Sequence, residues 1–161
     1  MKSLHRFLAA AVLAAVALVA TAQPAAAAPP ALIFLKIDGI VGGSANAGHK
    51  GEIELESFSF GLSNSGDTGG GGGGGAGKVV FQDFHFMKYA DVASAALFEG
   101  AAIGKHYRTA VLTVEKRRGN KPHLVVTMED VLISSFNSSG ANGSDVPMES
   151  ISLNFETMSY E

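Results

Sequence analysis

Apolar side chains in this chain recur at every second position, and in four places the repeat jumps to the opposite parity. A period of two is the signature of strands, because successive side chains of an extended backbone point to opposite faces. A change of parity inside one run needs an extra residue, and an extra residue bends the strand. Ile53 and Leu55 share one parity, whereas Phe58 and Phe60 take the other, with the switch near Glu56–Ser57 in a strand of about Glu52 to Leu62. Val79 and Phe81 give way to Phe84 and Phe86 near Gln82–Asp83. Leu124, Val126 and Met128 give way to Val131, Ile133 and Ser135, and Ile151, Leu153 and Phe155 to Met158 and Tyr160. Strands that change face in this way suit a strongly curved sheet, lining the core over one half and showing a second apolar face over the other.

Two further strands keep one phase. Ile33, Leu35 and Ile37 alternate with Phe34, Lys36 and Asp38, and Ala110, Leu112 and Val114 share a face. Asp38 to Gly51 and Ser134 to Val146 read as loops, and Arg117 to Pro122 as a polar hairpin turn. Only Asp91 to Ile103 leaves the strand pattern. It is alanine-rich, with Val92, Ala95, Ala96 and Phe98 at helical spacing, Asp91 or Ser94 as a start and Gly104 as a stop. The expected class is therefore mainly β: a small barrel or orthogonal sandwich of about six antiparallel strands with one short flanking helix. The apolar set left on the second parity, including Phe58, Phe60, Met158 and Tyr160, is expected to be covered by another subunit.

The first residues carry a different message. Lys2, His5 and Arg6 precede an unbroken apolar run from Phe7 to Ala20, too short for a membrane span of roughly 20 residues and suited to a signal peptide. The expected division is a leader over 1–28, cut after Ala22 or near Ala27/Ala28, and one domain over 31–161. The protein is then exported, to the periplasm or beyond, with no membrane contact after the leader is removed. Net charge is −3 for the 161 residues and about −5 once Lys2 and Arg6 leave with the leader, so nucleic-acid phosphates are poor partners. There is no cysteine, which excludes disulfides and thiolate sites and leaves stability to the core alone.

Catalytic signatures are weak. Gly69 to Gly75 is a run of glycines, and from Gly72 the tract matches G-x-x-x-x-G-K up to Lys78. A phosphate loop then requires Ser or Thr and a helix, and here Val79 opens a strand. His49, His85, His106 and His123 show no metal-ligand spacing, and Glu52, Glu54 and Glu56 read as a solvated strand face. Neither a nucleophile elbow nor any cofactor site is apparent, and no enzyme activity is expected.

The residues do resemble one family. Ile33-Phe34-Leu35-Lys36-Ile37-Asp38-Gly39-Ile40 resembles the opening strand of Hcp, the haemolysin-coregulated protein of type VI secretion. Gly72-Gly73-Gly74-Gly75-Ala76-Gly77-Lys78-Val79, Gln82-Asp83-Phe84, Lys88-Tyr89, Gly104-Lys105-His106-Tyr107, Val131-Leu132-Ile133-Ser134-Ser135 and Leu153-Asn154-Phe155 continue the likeness in order. It runs from about residue 32 to 160. The resemblance implies a β-barrel with one flanking helix, a hexameric ring with an open channel, and rings that stack into a tube. It implies partners among copies of the same chain, secretion-system components and effector proteins. It also implies that the loop after the second strand, here about Ser63 to Gly77, reaches the neighbouring ring. Ser63, Asn64, Asp67, Gly72, Gly75, Gly77 and Lys78 are the candidate inter-ring residues, and no catalytic residue is carried over. One feature departs from the family, whose members lack a cleavable leader and assemble in the cytoplasm. A second reading is therefore an exported monomeric binding module that uses loop 39–51 or 63–77.

Overall fold

A computed structural model describes residues 31–64, 79–116 and 121–161. The expected strands are all present, and most of the parity switches break them into shorter pieces. The first is β1 (Leu32–Ile37). The second splits into β2 (Ile53–Glu54), β3 (Ser57–Ser59) and β4 (Leu62–Asn64), and the third into β5 (Val79–Phe81) and β6 (Phe84–Tyr89). Helix α1 (Ser94–Ile103) follows, then β7 (His106–Glu115), β8 (Pro122–Ser139), β9 (Met148–Asn154) and β10 (Thr157–Tyr160). All pairings are antiparallel; the main sheet runs β2-β1-β7-β8-β9-β6-β3, with β10 also on β8.

The switch at Leu55–Glu56 shapes the molecule. β2 and β3 are the two outer strands of the sheet and are neighbours in the chain. Leu55 N–H donates to Ile33 O on one edge at 2.9 Å, and the next amide, Glu56 N–H, donates to Met87 O on the other at 2.9 Å. No ladder joins the two edges; a single turn of backbone does. The sheet is thereby rolled on itself and stays open between β2 and β3.

The 18-residue strand β8 bends instead of breaking. Its first half pairs with β7 and β10, and its second half mainly with β9. Asp130 sits at the bend with φ 48°, the one non-glycine in the left-handed region among the described residues, and its carboxylate accepts a hydrogen bond from His106 Nδ1 at 2.8 Å. Aspartate tolerates this conformation better than most side chains. Beyond it Val131 and Ile133 are buried, as Val126 and Met128 are before it.

The core gathers the expected faces: Leu35 and Ile37, Ile53 and Leu55, Phe84 and Phe86, Ala110 and Leu112, Val126 and Met128, Ile151 and Leu153. Each fully buried large side chain of this kind contributes about 1.5–3 kcal/mol. The structure corrects two expectations. Ser134 to Ser139 is strand, since it pairs with β9 from Ser135↔Ser152 to Ser139↔Met148 after a register shift. Its Ser- and Asn-rich composition hid a cross-strand partner. The helix buries Ala93, Leu97 and Gly100, while Val92 and Phe98 are exposed. Apolar residues surround this helix, so spacing alone selects no face. Close approach does: Gly100 lies against the Tyr107 ring, where an added Cβ would overlap the hydroxyl. Gly104 ends the helix in the left-handed conformation, φ 63°, as expected.

Loop 39–51 is tied down along its length. Gly42 N–H donates to Gly51 O at 2.8 Å, Ser44 N–H to Glu52 O at 3.0 Å, and Gly43 N–H to the Asp91 carboxylate at 2.9 Å. Gly42 is packed so tightly on the Glu52–Ile53 backbone that a Cβ would overlap it. Gly42→Ala is expected to destabilise the protein by about 2–3 kcal/mol, because backbone cannot step aside as a side-chain end can. Urea denaturation checks this, and an unchanged midpoint would refute the tight packing.

Candidate assembly surface and its supports

β4 and β5 form a two-stranded sheet outside the main one, with Leu62↔Phe81, Ser63↔Val80 and Asn64↔Val79 in register. Alternating sequence makes such a hairpin; nothing in it makes a two-sided core. Leu62 is 64%, Val80 50% and Phe81 51% exposed. Its anchors are the Gln82 N–H to Gly61 O bond at 2.9 Å and an edge-to-face contact of Phe81 with Phe155 at 6.1 Å. An isolated two-stranded ribbon is marginal in water, and apolar side chains exposed on it mark a surface awaiting a partner.

Of the candidate inter-ring residues, Ser63 and Asn64 lie in β4 and are exposed. Asp67, Gly72, Gly75, Gly77 and Lys78 lie outside the described residues, as does the glycine tract. Val79, which follows the tract, begins a strand, as the argument against a phosphate loop requires.

The second apolar parity behaves differently from expectation. Phe58, Phe60 and Met158 are half-buried against the molecule's own core, and only Tyr160 is exposed. Phe84 explains this: Phe58 and Phe60 stack on it at 6.1 and 6.0 Å, and Tyr160 leans on Phe60 at 6.2 Å. Curvature closes the sheet over both parities, so these residues leave little for a second subunit. The large apolar side chains left exposed include Val41, the hairpin set, and Val92, Phe98 and Ile103 around the helix.

Two polar clusters support this framework. Lys88 is fully buried, and its ammonium donates to Glu149 at 2.7 Å, Asp91 at 2.8 Å, Tyr89 O at 2.8 Å and Ser94 Oγ at 3.1 Å. The cluster joins β6, β9 and the start of α1, where Asp91 also accepts from Ala93 N–H at 3.0 Å. Sequence reading passed over it, although a signal was present. Lys88 shares the parity of Phe84 and Phe86, Glu149 that of Ile151 and Leu153, and the two are paired across the strands. Opposite charges at core parity on neighbouring strands announce a buried ion pair.

His49 is the second cluster. Its ring stacks on Phe34 with centroids 4.1 Å apart and planes at 6°. Nδ1 donates to Glu52 at 2.8 Å, and Nε2 faces the Glu115 carboxylate at 3.1 Å. Burial works against the charged ring, yet the hydrogen bonds and charges of Glu115 and Glu52 prevail and hold it above its ordinary value of 6.5. His85 accords with the reading of a satisfied histidine, bonded to Ser152 Oγ at 3.1 Å and Ser150 Oγ at 3.2 Å. Glu52 and Glu54 are engaged, by His49 and by Ser44 Oγ at 2.7 Å, so the glutamate row is solvated only in part. Among the described residues no cluster has the composition to hold a metal ion, and no helix is long and apolar enough to cross a membrane.

A rolled, mainly β domain with one helix on its flank and an apolar hairpin standing apart defines a class of small β-barrel subunits. Residues 34–161 match the family model described as type VI secretion system effector, Hcp. Protein hcp1 of Pseudomonas aeruginosa is 41% identical over 125 residues, covering 76% of this chain and 77% of that protein. Among solved structures, a type six secretion system protein superposes with a TM-score of 0.77 at 28% identity, covering 81% of this chain and 83% of the other. Hcp1 from Salmonella typhimurium does so with 0.70 at 34%, covering 81% and 85%. The chain belongs to the Hcp family of the type VI secretion system, a family of secreted structural proteins to which the tube subunit belongs.

Proposed function

We propose that the chain is a non-catalytic ring subunit: six copies close a hexameric ring with an open channel, rings stack into a tube, and effector proteins travel in the lumen. Supporting this are the family likeness and, above all, the β4–β5 hairpin, whose exposed Leu62, Val80 and Phe81 need cover that a single copy does not provide. Residues 63–78, with Ser63, Asn64, Asp67, Gly72, Gly75, Gly77 and Lys78, are proposed as the contact to the neighbouring ring. Glycines suit that place because a chain without side chains can lie flat on another backbone, at an entropic cost that the contact must offset. Residues 1–28 are proposed as a leader that is removed on export, leaving the domain of 31–161.

One preparation tests these statements together: protein recovered from the exported fraction, sequenced at its N-terminus and weighed by native mass spectrometry. A chain beginning between Gln23 and Pro29 and a mass of six copies are expected. One copy would overturn the ring and favour a monomeric binding module, and an intact Met1 would overturn the leader. Replacing Leu62 alone by aspartate should leave folding stability within about 0.5 kcal/mol, since it is exposed and, unlike Phe81, anchors nothing in the main sheet. Association should weaken by about 2 kcal/mol or more per contact, roughly thirtyfold. Undiminished assembly of this variant would refute the hairpin's role.

A further inference from the structure

We propose that His49 is a charge-gated latch: only its imidazolium form holds the His49 end of loop 39–51 against the end of β7, and loss of the proton releases that end. Geometry carries the inference. The ring lies between two carboxylates, Glu52 at the end of its own loop and Glu115 at the end of β7, with one nitrogen on each at 2.8 and 3.1 Å. Carboxylates only accept, so both contacts require a proton on both nitrogens. The neutral ring keeps one proton and turns a lone pair toward the other carboxylate. The histidine side chain is 11% exposed and each glutamate 17%, so water screens that repulsion poorly.

The surroundings make the ring a latch. Phe34 of β1 fixes its plane by stacking and brings no charge. Glu54 of β2 is taken by Ser44, and Lys50 and Lys116, the neighbours of the latch residues in the chain, are exposed. Pro122 and Val125 of β8, which line the cleft beside the ring, are uncharged. Beyond the ring, the loop's ties run to Ile37 of β1, to Glu52 and Glu54, and to Asp91, while Asp38 at its start is held on β7 by Arg108 and by its own N–H to Thr109 O. His49 is thus the loop's one side-chain tie to the Glu115 end of β7 among the described residues.

The sign of the effect follows. With the folded-state value raised above 6.5, the latch contributes its full stability below 6.5, where both folded and unfolded chains carry the proton. That contribution is lost as pH rises through the folded value. In the wild-type full chain, a pH series of imidazole Cε1–H NMR shifts is expected to place the His49 midpoint above 6.5. Hydrogen exchange, corrected for its intrinsic pH dependence, should show Gly51 and Glu52 losing protection through the same midpoint. Glu115→Gln supplies an amide that can donate to the neutral ring, so the opening step should move to lower pH or vanish. His49→Gln should be least stable relative to wild type in acid, with the gap shrinking to a constant remainder at high pH. A midpoint at or below 6.5, protection unchanged across the titration, or a step indifferent to Glu115→Gln would each overturn the latch.

Discussion

Replacing Lys88 by methionine should destabilise this protein by about 3–5 kcal/mol, although methionine fits a strand core better than lysine. Lys88 has no exposed surface, and its ammonium satisfies Glu149, Asp91, Tyr89 O and Ser94 Oγ at once. Without it the Glu149 carboxylate, 3% exposed, stays buried with only the Ser94 hydroxyl at 2.9 Å as donor. A buried charge without its counterion costs far more than the pair itself contributes, because the pair has already offset its own desolvation. The double variant Lys88→Met/Glu149→Leu should therefore recover most of the loss. Guanidinium denaturation of wild type, single and double variants decides the matter. A single variant within about 1 kcal/mol of wild type would show that the cluster is not the junction of β6, β9 and α1 described above.

A loss of similar size, about 3–5 kcal/mol, is expected for Phe84→Ala. Phe84 is wholly buried, and its ring meets those of Phe58, Phe60 and Phe86 within 6.0–6.1 Å. Phe58 and Phe60 belong to the segment that crosses from one edge of the sheet to the other. Removing the ring beneath them leaves a cavity and unseats β3. Phe98→Ala supplies the contrast. That ring is 61% exposed and makes one edge-to-face contact with Phe136 at 5.6 Å, so its loss should cost less than about 1 kcal/mol. Equal losses at the two sites would contradict the packing.

These residues also mark how far the chain could be read unaided. Switches of parity at Glu56–Ser57, at Gln82–Asp83 and between Met128 and Val131 coincide with the break after Leu55, with the β5–β6 break and with the Asp130 bend. Parity is a local property: alternating side chains on an extended backbone cannot change face without an added residue or a break. The same locality made the strands and the helix's glycine stop legible, as far as the described residues reach. Much of the candidate surface was not legible. Phe58, Phe60 and Met158 read as free for a second subunit, and only the rolling of the sheet brings Phe58 and Phe60 onto Phe84 and Met158 against the core. Ser134–Ser139 gained a strand from a distant partner, and α1 gained its buried face from a ring at Tyr107.

The sequence by itself determined where most strands run, where they turn their faces, and the family to which the chain is akin. Tertiary structure alone decided which apolar faces stay exposed and that His49 stands between two carboxylates, and it set the register that brings Lys88 to Glu149. The physical reason is separation along the chain. Phase is set by neighbours one and two residues away, whereas burial and charge pairing depend on register between strands that are tens of residues apart.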